Sequence, residues 1–169
     1  LRKIIHLRDA VVAHTKEIRA AAFADFKKPE SEVDLTEIFP VLIEAKDAQK
    51  HLHRWMRPKY VGATLPLVGT SAQVRTEPKG ACLIISPWNY PLNLTFGPLV
   101  SALAAGNTAI IKPSEFTPHM SALMEKIIRG IFDEREVAVF QGDHKTSENL
   151  LKLPFDHIFF TGSPAVGKL

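Results

Sequence analysis

Along the first 55 residues, apolar positions recur at helical spacing. Ile4, Leu7, Val11, Ile18 and Ala22 fall on one side of a helix whose other sides carry Arg2, Lys3, Asp9, Lys16 and Glu17, the pattern of an element with one buried face. A second helix is predicted after "KKPESEVD", with Leu35, Ile38, Leu42, Ala45, Leu52 and Trp55 as its inner stripe. Asp34, three residues before Glu37, reads as the start of a capping box there. Pro40 interrupts the pattern and draws the expected helix start toward itself. Residues 59–78, rich in Gly, Thr and Val, read as extended strands or a hairpin outside the main core.

Beyond Gly80 a different rhythm begins. The runs "ACLIIS", "NTAIIK", "VAVFQG" and "HIFFTG" are short and continuously apolar, and segments such as "LTFGPLVSALAAG" and "PHMSALMEKIIRGIF" separate them. Strands apolar on both faces that alternate with helices imply a parallel sheet covered on each side. The expected fold is therefore α/β. A helix pair over residues 1–55 lies beside a doubly wound, Rossmann-like parallel sheet with strands at 83–85, 109–111, 137–140 and 157–160. Pro118 behind Thr117 and Pro164 behind Ser163 suit the first helical position after a hydroxyl cap. This divides the chain into a helical segment, 1–58, a strand segment, 59–78, and a sheet domain, 79–169.

Composition narrows the function classes. With 169 residues, 46% of them hydrophobic, the chain can bury the core of one ordinary domain, and disorder is not expected. Twenty-one Lys and Arg against 18 Asp and Glu leave a formal charge of +3, and the basic residues are scattered, so no nucleic-acid partner is implied. The single cysteine, Cys82, excludes an intrachain disulfide and fits the reducing cytoplasm. Set in "GACLIIS", it reads as a buried, inert thiol. No apolar stretch approaches the roughly 20 residues of a membrane helix. His51 and His53, two apart, cannot share a helix face as metal ligands would, and no metal site is predicted. The chain opens "LRKIIHLRDA" without a methionine and stops at "SPAVGKL" where a helix should begin, so a fragment is expected. Asp9 and Glu17 argue against a transit peptide.

In open α/β sheets, ligands bind beyond the carboxyl ends of the strands. Those ends read "SPWNYP", "KPSE", "QGD" and "TGSPAVG". Each has an ordinary reading by itself. Asn89 can be a turn residue closing a strand, Trp88 a core aromatic, Lys112 and Glu115 a surface pair, and Gly162 with Gly167 a tight turn.

Their order and spacing add more. Pro87-Trp88-Asn89, then "GNTAIIKPSE", then "FTGSPAVGK" closely resemble the N-terminal part of aldehyde dehydrogenases over residues 1–169. "SPWNYPLNL" and "DHIFFTGS" resemble the class III branch, which includes bacterial coniferyl-aldehyde-type enzymes. The resemblance implies NAD(P)-dependent oxidation of an aldehyde to an acid through a cysteine nucleophile, a hemithioacetal, hydride transfer and thioester hydrolysis. It implies that Asn89 donates its amide to the developing oxyanion, held by Pro87 and Pro91. It places the cofactor against Ser86, Pro87 and Trp88, the ribose on Lys112 and Glu115, the adenine over Gly142, and phosphate at Gly162, Ser163 and Gly167. Glu115 opposes a 2′-phosphate, so NAD is preferred over NADP. The nucleophilic cysteine and general-base glutamate of the family fall beyond Leu169, so the segment alone is expected to be inactive. The resemblance also implies a medium-chain or aromatic aldehyde and a homodimer of the complete enzyme. The rival pattern, "GSPAVGK" as a phosphate-binding P-loop, fails at Leu169, where Ser or Thr would ligate magnesium.

Overall fold

The computed structural model describes residues 1–62 and 64–168. Ala63, in the stretch read as a hairpin, and Leu169, where the P-loop pattern fails, lie outside them. The single helix expected over residues 4–22 is two, α1 (Arg2–Ala13) and α2 (Thr15–Phe26). The break at His14 has a local cause. His14 Nδ1 lies 2.8 Å from the Ala10 carbonyl oxygen and Thr15 Oγ1 donates to the Val12 carbonyl at 2.8 Å, so side chains compete with the backbone for the last carbonyls of α1. The apolar stripe runs through the break, and Ile4, Leu7, Val11, Ile18 and Ala22 are all fully buried.

The second helix starts earlier than expected and is compound. α3 (Glu30–Val33) leads into a π-turn over Asp34–Ile38 and then into α4 (Phe39–Trp55). The expected capping box does not form, because Asp34 already lies inside the helix. It receives two hydrogen bonds from the Arg19 guanidinium of α2, at 2.9 and 2.6 Å. Pro40 is tolerated because its missing N–H follows the π-turn. The Thr36 carbonyl, four residues before it, accepts instead from Asn93 Nδ2 at 3.1 Å. The wider turn also shifts the buried face. Val41, Ala45, Ala48 and Leu52 point inward, while Leu35 and Trp55 of the expected stripe are exposed.

β1 (Lys59–Val61) pairs antiparallel with β2 (Ala72–Val74), and every residue of both is exposed. The main sheet contains β3 (Ala81–Ile85), β4 (Thr108–Lys112), β5 (Val137–Val139) and β6 (His157–Phe160). All pairs are parallel, in the order β5-β4-β3-β6. α5 (Asn93–Ala104) and α6 (Pro118–Ile131) step the chain outward from β3 to β5, and α7 (His144–Leu151) carries it back beyond β3 to β6. Crossovers of one hand then place α5 and α6 on one face and α7 on the other. The two cores follow this division. Ile84 packs with Phe96, Leu99, Met124 and the N-terminal helices, whereas Leu83 and Ile85 meet Leu150. Residues 1–55 thus share one core with the sheet.

Two expected caps differ from the sequence rule. Pro118 does open α6 behind Thr117, but the Thr117 hydroxyl does not cap it. Asp25 of α2 accepts from the backbone N–H groups of His119 and Met120 at 3.1 and 2.9 Å. At the other site, Pro164 is followed by a 3-10 turn, Val166–Lys168, in place of the expected α-helix, with Ser163 Oγ accepting from Val166 N at 3.3 Å.

Candidate functional site

The strand order reverses between β3 and β6, and the loops leaving these two strands flank the crevice where such sheets bind ligands. Pairing persists to the strand ends: Ser86 N donates to the Lys112 carbonyl at 3.2 Å and Thr161 N to the Ile85 carbonyl at 3.1 Å. The loop after β3 then turns sharply. Thr95 Oγ1, fully buried, lies 2.6 Å from Ser86 Oγ and 2.5 Å from the Pro91 carbonyl oxygen, tying the two ends of the loop together. Between them Trp88 and Asn89 are exposed. The Asn89 side-chain amide donates to nothing among the described residues, so it remains available to a ligand.

What holds Asn89 is a charged pair from the N-terminal helices that the sequence did not mark as part of a site. Lys28 Nζ donates to the Asn89 carbonyl at 3.0 Å and to Glu37 Oε1 at 2.9 Å, and it lies 4.5 Å from the Tyr90 ring centroid. Glu37 Oε2 accepts from the backbone N–H groups of Leu92 and Asn93, at 3.1 and 3.0 Å. The side chains are 8% and 0% exposed. Burial pushes the Glu37 carboxyl above its ordinary range, against the Asn93 N–H, the Lys28 bond and charge, and the Leu92 N–H, which favour the anion. One signal was available in the sequence: Glu37 stands four residues from Val33 and four from Val41, both fully buried, so an acid interrupts the apolar stripe.

At the end of β4, Lys112 is 3% exposed and its Nζ donates to Glu115 Oε2 at 2.7 Å. Burial raises the Glu115 carboxyl, but the Lys112 hydrogen bond, a backbone N–H and the Lys112 charge together hold it below its ordinary value. After β5, Gly142 adopts φ +151°, and a Cβ there would lie 2.1 Å from Thr146 Oγ1, so only glycine fits. After β6, the Phe160 ring lies on the backbone of Gly162, where a Cβ would come within 2.3 Å of Cζ. The same ring would meet a Cβ on Gly167 at 3.3 Å.

Cys82 is 2% exposed, and burial, the largest influence, raises its thiol pKa, which suppresses the nucleophilic thiolate. No cluster of three metal-ligating side chains exists among the described residues. An open cleft of 650 Å³ lies elsewhere, beside α5 and β6, lined by Cys82, Ile84, Leu94, Gly97 and Phe159, and none of the strand-end residues borders it. The free amide, the buried lysine and the glycines all lie at the strand ends, which therefore form the candidate site.

Residues 2–169 match the profile of the aldehyde dehydrogenase family. The chain belongs to that family. It is 46% identical over 167 residues to the putative aldehyde dehydrogenase AldX of Bacillus subtilis, covering 99% of this chain and 37% of the relative. A probable coniferyl aldehyde dehydrogenase of Caulobacter vibrioides is 44% identical, with 95% of this chain and 34% of the relative covered. The substrate-bound structure of Staphylococcus aureus AldH superposes with a TM-score of 0.97 at 41% identity, over 99% of this chain and 36% of that one. The chain thus spans about a third of the length of the aldehyde dehydrogenases it matches. Within this aldehyde dehydrogenase segment, the buried Lys112 ammonium and its carboxylate partner stand at the end of β4, where open sheets of this kind bind ligands.

Proposed function

We propose that the complete protein is an NAD(P)-dependent aldehyde dehydrogenase of class III type, in which this segment holds the cofactor and supplies the oxyanion donor. The observation that carries the reading is the exposed Asn89 amide, unpartnered among the described residues, at the switch point of the sheet. Bound NAD(P)+ supplies the hydride acceptor. Lys112 donates to ribose hydroxyls and Glu115 accepts from them. The Glu115 carboxylate opposes a 2′-phosphate by like charge, which favours NAD. Ser86, Pro87 and Trp88 flank the cofactor on one side of the crevice and Gly162, Ser163 and Gly167 on the other, with the adenine passing over the chain at Gly142. The Asn89 NH₂, already oriented by its loop, donates to the aldehyde oxygen as negative charge builds there, without reorganisation at the moment of reaction.

The attacking thiolate is not Cys82, whose thiol is buried in β3. The segment by itself therefore oxidises no aldehyde. The coniferyl aldehyde relative supports an aromatic substrate, with a medium-chain aldehyde as the second class. The exposed β1–β2 hairpin serves as a subunit contact in a homodimer, and the lone buried cysteine suits the cytoplasm. No helix among the described residues is long and apolar enough to cross a membrane.

Steady-state kinetics of the complete protein with NAD and an aromatic aldehyde test this. Losing one oxyanion donor costs about 2.7–4 kcal/mol, so Asn89→Asp should lower kcat roughly a hundred- to thousandfold with little change in cofactor affinity. Lys112→Ala should do the reverse, weakening NAD binding by about 1.5–3 kcal/mol. Near-normal turnover by a folded Asn89→Asp enzyme would return Asn89 to the role of a turn residue.

A further inference from the structure

The loop that presents Asn89 is tied at its ends by Thr95, but its tip has few hydrogen bonds of its own. Pro87 and Pro91 have no N–H to donate, and Trp88 and Asn89 face solvent. The Asn89 carbonyl nevertheless has a defined partner, Lys28 Nζ at 3.0 Å, which reaches it from a residue 61 positions earlier. The next turn of chain is fixed by the partner of that lysine, since Glu37 takes the N–H groups of Leu92 and Asn93. One ion pair therefore grips the loop at both ends of Asn89-Tyr90-Pro91. Stability alone gives no reason for charge at this place. Two ions removed from water lose much of what their attraction supplies, and apolar replacements of similar volume are often as stable. What an ion pair adds is direction: Lys28 satisfies one carbonyl at one position, and Glu37 two N–H groups at another.

We propose that Lys28, set by Glu37, is the positioning residue that fixes the oxyanion donor Asn89. The pair couples the N-terminal helices to the catalytic step without touching substrate or cofactor. The inference rests on the aldehyde dehydrogenase reading above.

The test uses the complete protein. Lys28→Met alone strands the Glu37 carboxylate, so it should lower both melting temperature and kcat. Lys28→Met/Glu37→Gln removes both charges, and the amide oxygen introduced by the second substitution still accepts from the α5 N-terminus. This double variant should regain a melting temperature near that of the unmodified protein while kcat stays low, on the order of 10- to 100-fold as for a small misplacement of a reacting group, with KM for NAD unchanged. Lys27→Met, at the exposed neighbour, should leave turnover intact. Added to Asn89→Ala, the double variant should cause no further loss of kcat, because both act through the same amide. Recovery of kcat together with melting temperature, or a full additional loss on top of Asn89→Ala, overturns the proposal. Hydrogen exchange separates it from the broader reading. If the unmodified protein oxidises no aldehyde, that reading fails, and unchanged exchange at the amides of Asn89 and Tyr90 in the double variant overturns the Lys28 assignment as well.

Discussion

Replacing Asp25 by alanine tests where the helix that follows the Lys112–Glu115 loop is capped. The sequence rule assigns the cap of α6 to Thr117, but its Oγ1 reaches only the Ser114 carbonyl, at 3.4 Å. The Asp25 carboxylate, 1% exposed, accepts from His119 N, Met120 N and His119 Nδ1 at 3.1, 2.9 and 2.8 Å. Truncating a capping side chain costs about 0.5–2 kcal/mol. Here the acceptor is a buried carboxyl, for which a hydrogen bond contributes about 1.5–3 kcal/mol, and of the donors Met120 N is the one held away from water. Because α6 also places Met120, Met124, Ile127 and Ile128 in the core, the orphaned turn cannot simply fray into water. Together these give about 2–4 kcal/mol for Asp25→Ala, or roughly 5–15 °C in Tm. Thr117→Val, which keeps the shape and removes a weak bond, should cost less than about 1 kcal/mol. Asp25→Asn, with an acceptor but no charge, should fall between. Urea denaturation followed by circular dichroism at constant m gives all three values. Equal losses for Thr117→Val and Asp25→Ala would refute the assignment.

Other expectations can be checked on the same protein. Asp34 is held below its ordinary range first by the Arg19 hydrogen bond, then by the Arg19 charge against partial burial. Its contribution is present above the ordinary carboxylate pKa and lost as pH falls through the lowered folded value. Glu37 has the opposite sign: its contribution is complete below the ordinary 4.5 and is lost as pH rises through the raised value of the folded state. The unfolding free energy of Glu37→Gln relative to the unmodified protein should therefore improve as pH rises from below 4.5 toward neutrality, and a pH-independent difference refutes this. Leu65, 90% exposed in the β1–β2 hairpin, and Ile158 and Phe159 on the edge strand β6 leave apolar surface uncovered. The 169-residue chain should then self-associate with rising concentration, less so with Leu65→Lys and Ile158→Lys. Light scattering of a monodisperse monomer at all concentrations excludes it.

The sheet could be read from sequence because its information is local. A continuous apolar run such as "ACLII" excludes a half-exposed strand, and the helices between the runs leave parallel pairing as the remaining solution. The strand-end residues could be read for the same reason, since each follows its strand directly. The break at His14 is local, but the course of the second helix departs from its sequence pattern where a distant group wins. A proline ought to end a helix, yet Pro40 stays inside one because a π-turn precedes it and Asn93, far along the chain, takes the Thr36 carbonyl. Asp34 and Glu37 have the spacing of a capping box, but Arg19 claims the first and the N-terminus of α5 the second. Propensity rules weigh a residue against its neighbours within one turn, and each of these partners lies 15 or more positions away.

Glu37 shows what such a misreading hides. An acid three residues after an aspartate suggests a local helix start, whereas in the structure Glu37 lies between the buried Val33 and Val41 on the inner face. It is both buried and charged, a combination that burial disfavours unless several donors converge. Lys28, Leu92 and Asn93 are those donors, and two of them belong to the loop and helix that follow Asn89. The capping residue of α5 is therefore supplied by the π-turn that precedes α4, not by the sequence before α5. This fixes where the Asn89 loop ends relative to the N-terminal helices. A change in those helices can thus reach the Asn89 amide through one carboxylate and one ammonium, with no shift of the sheet.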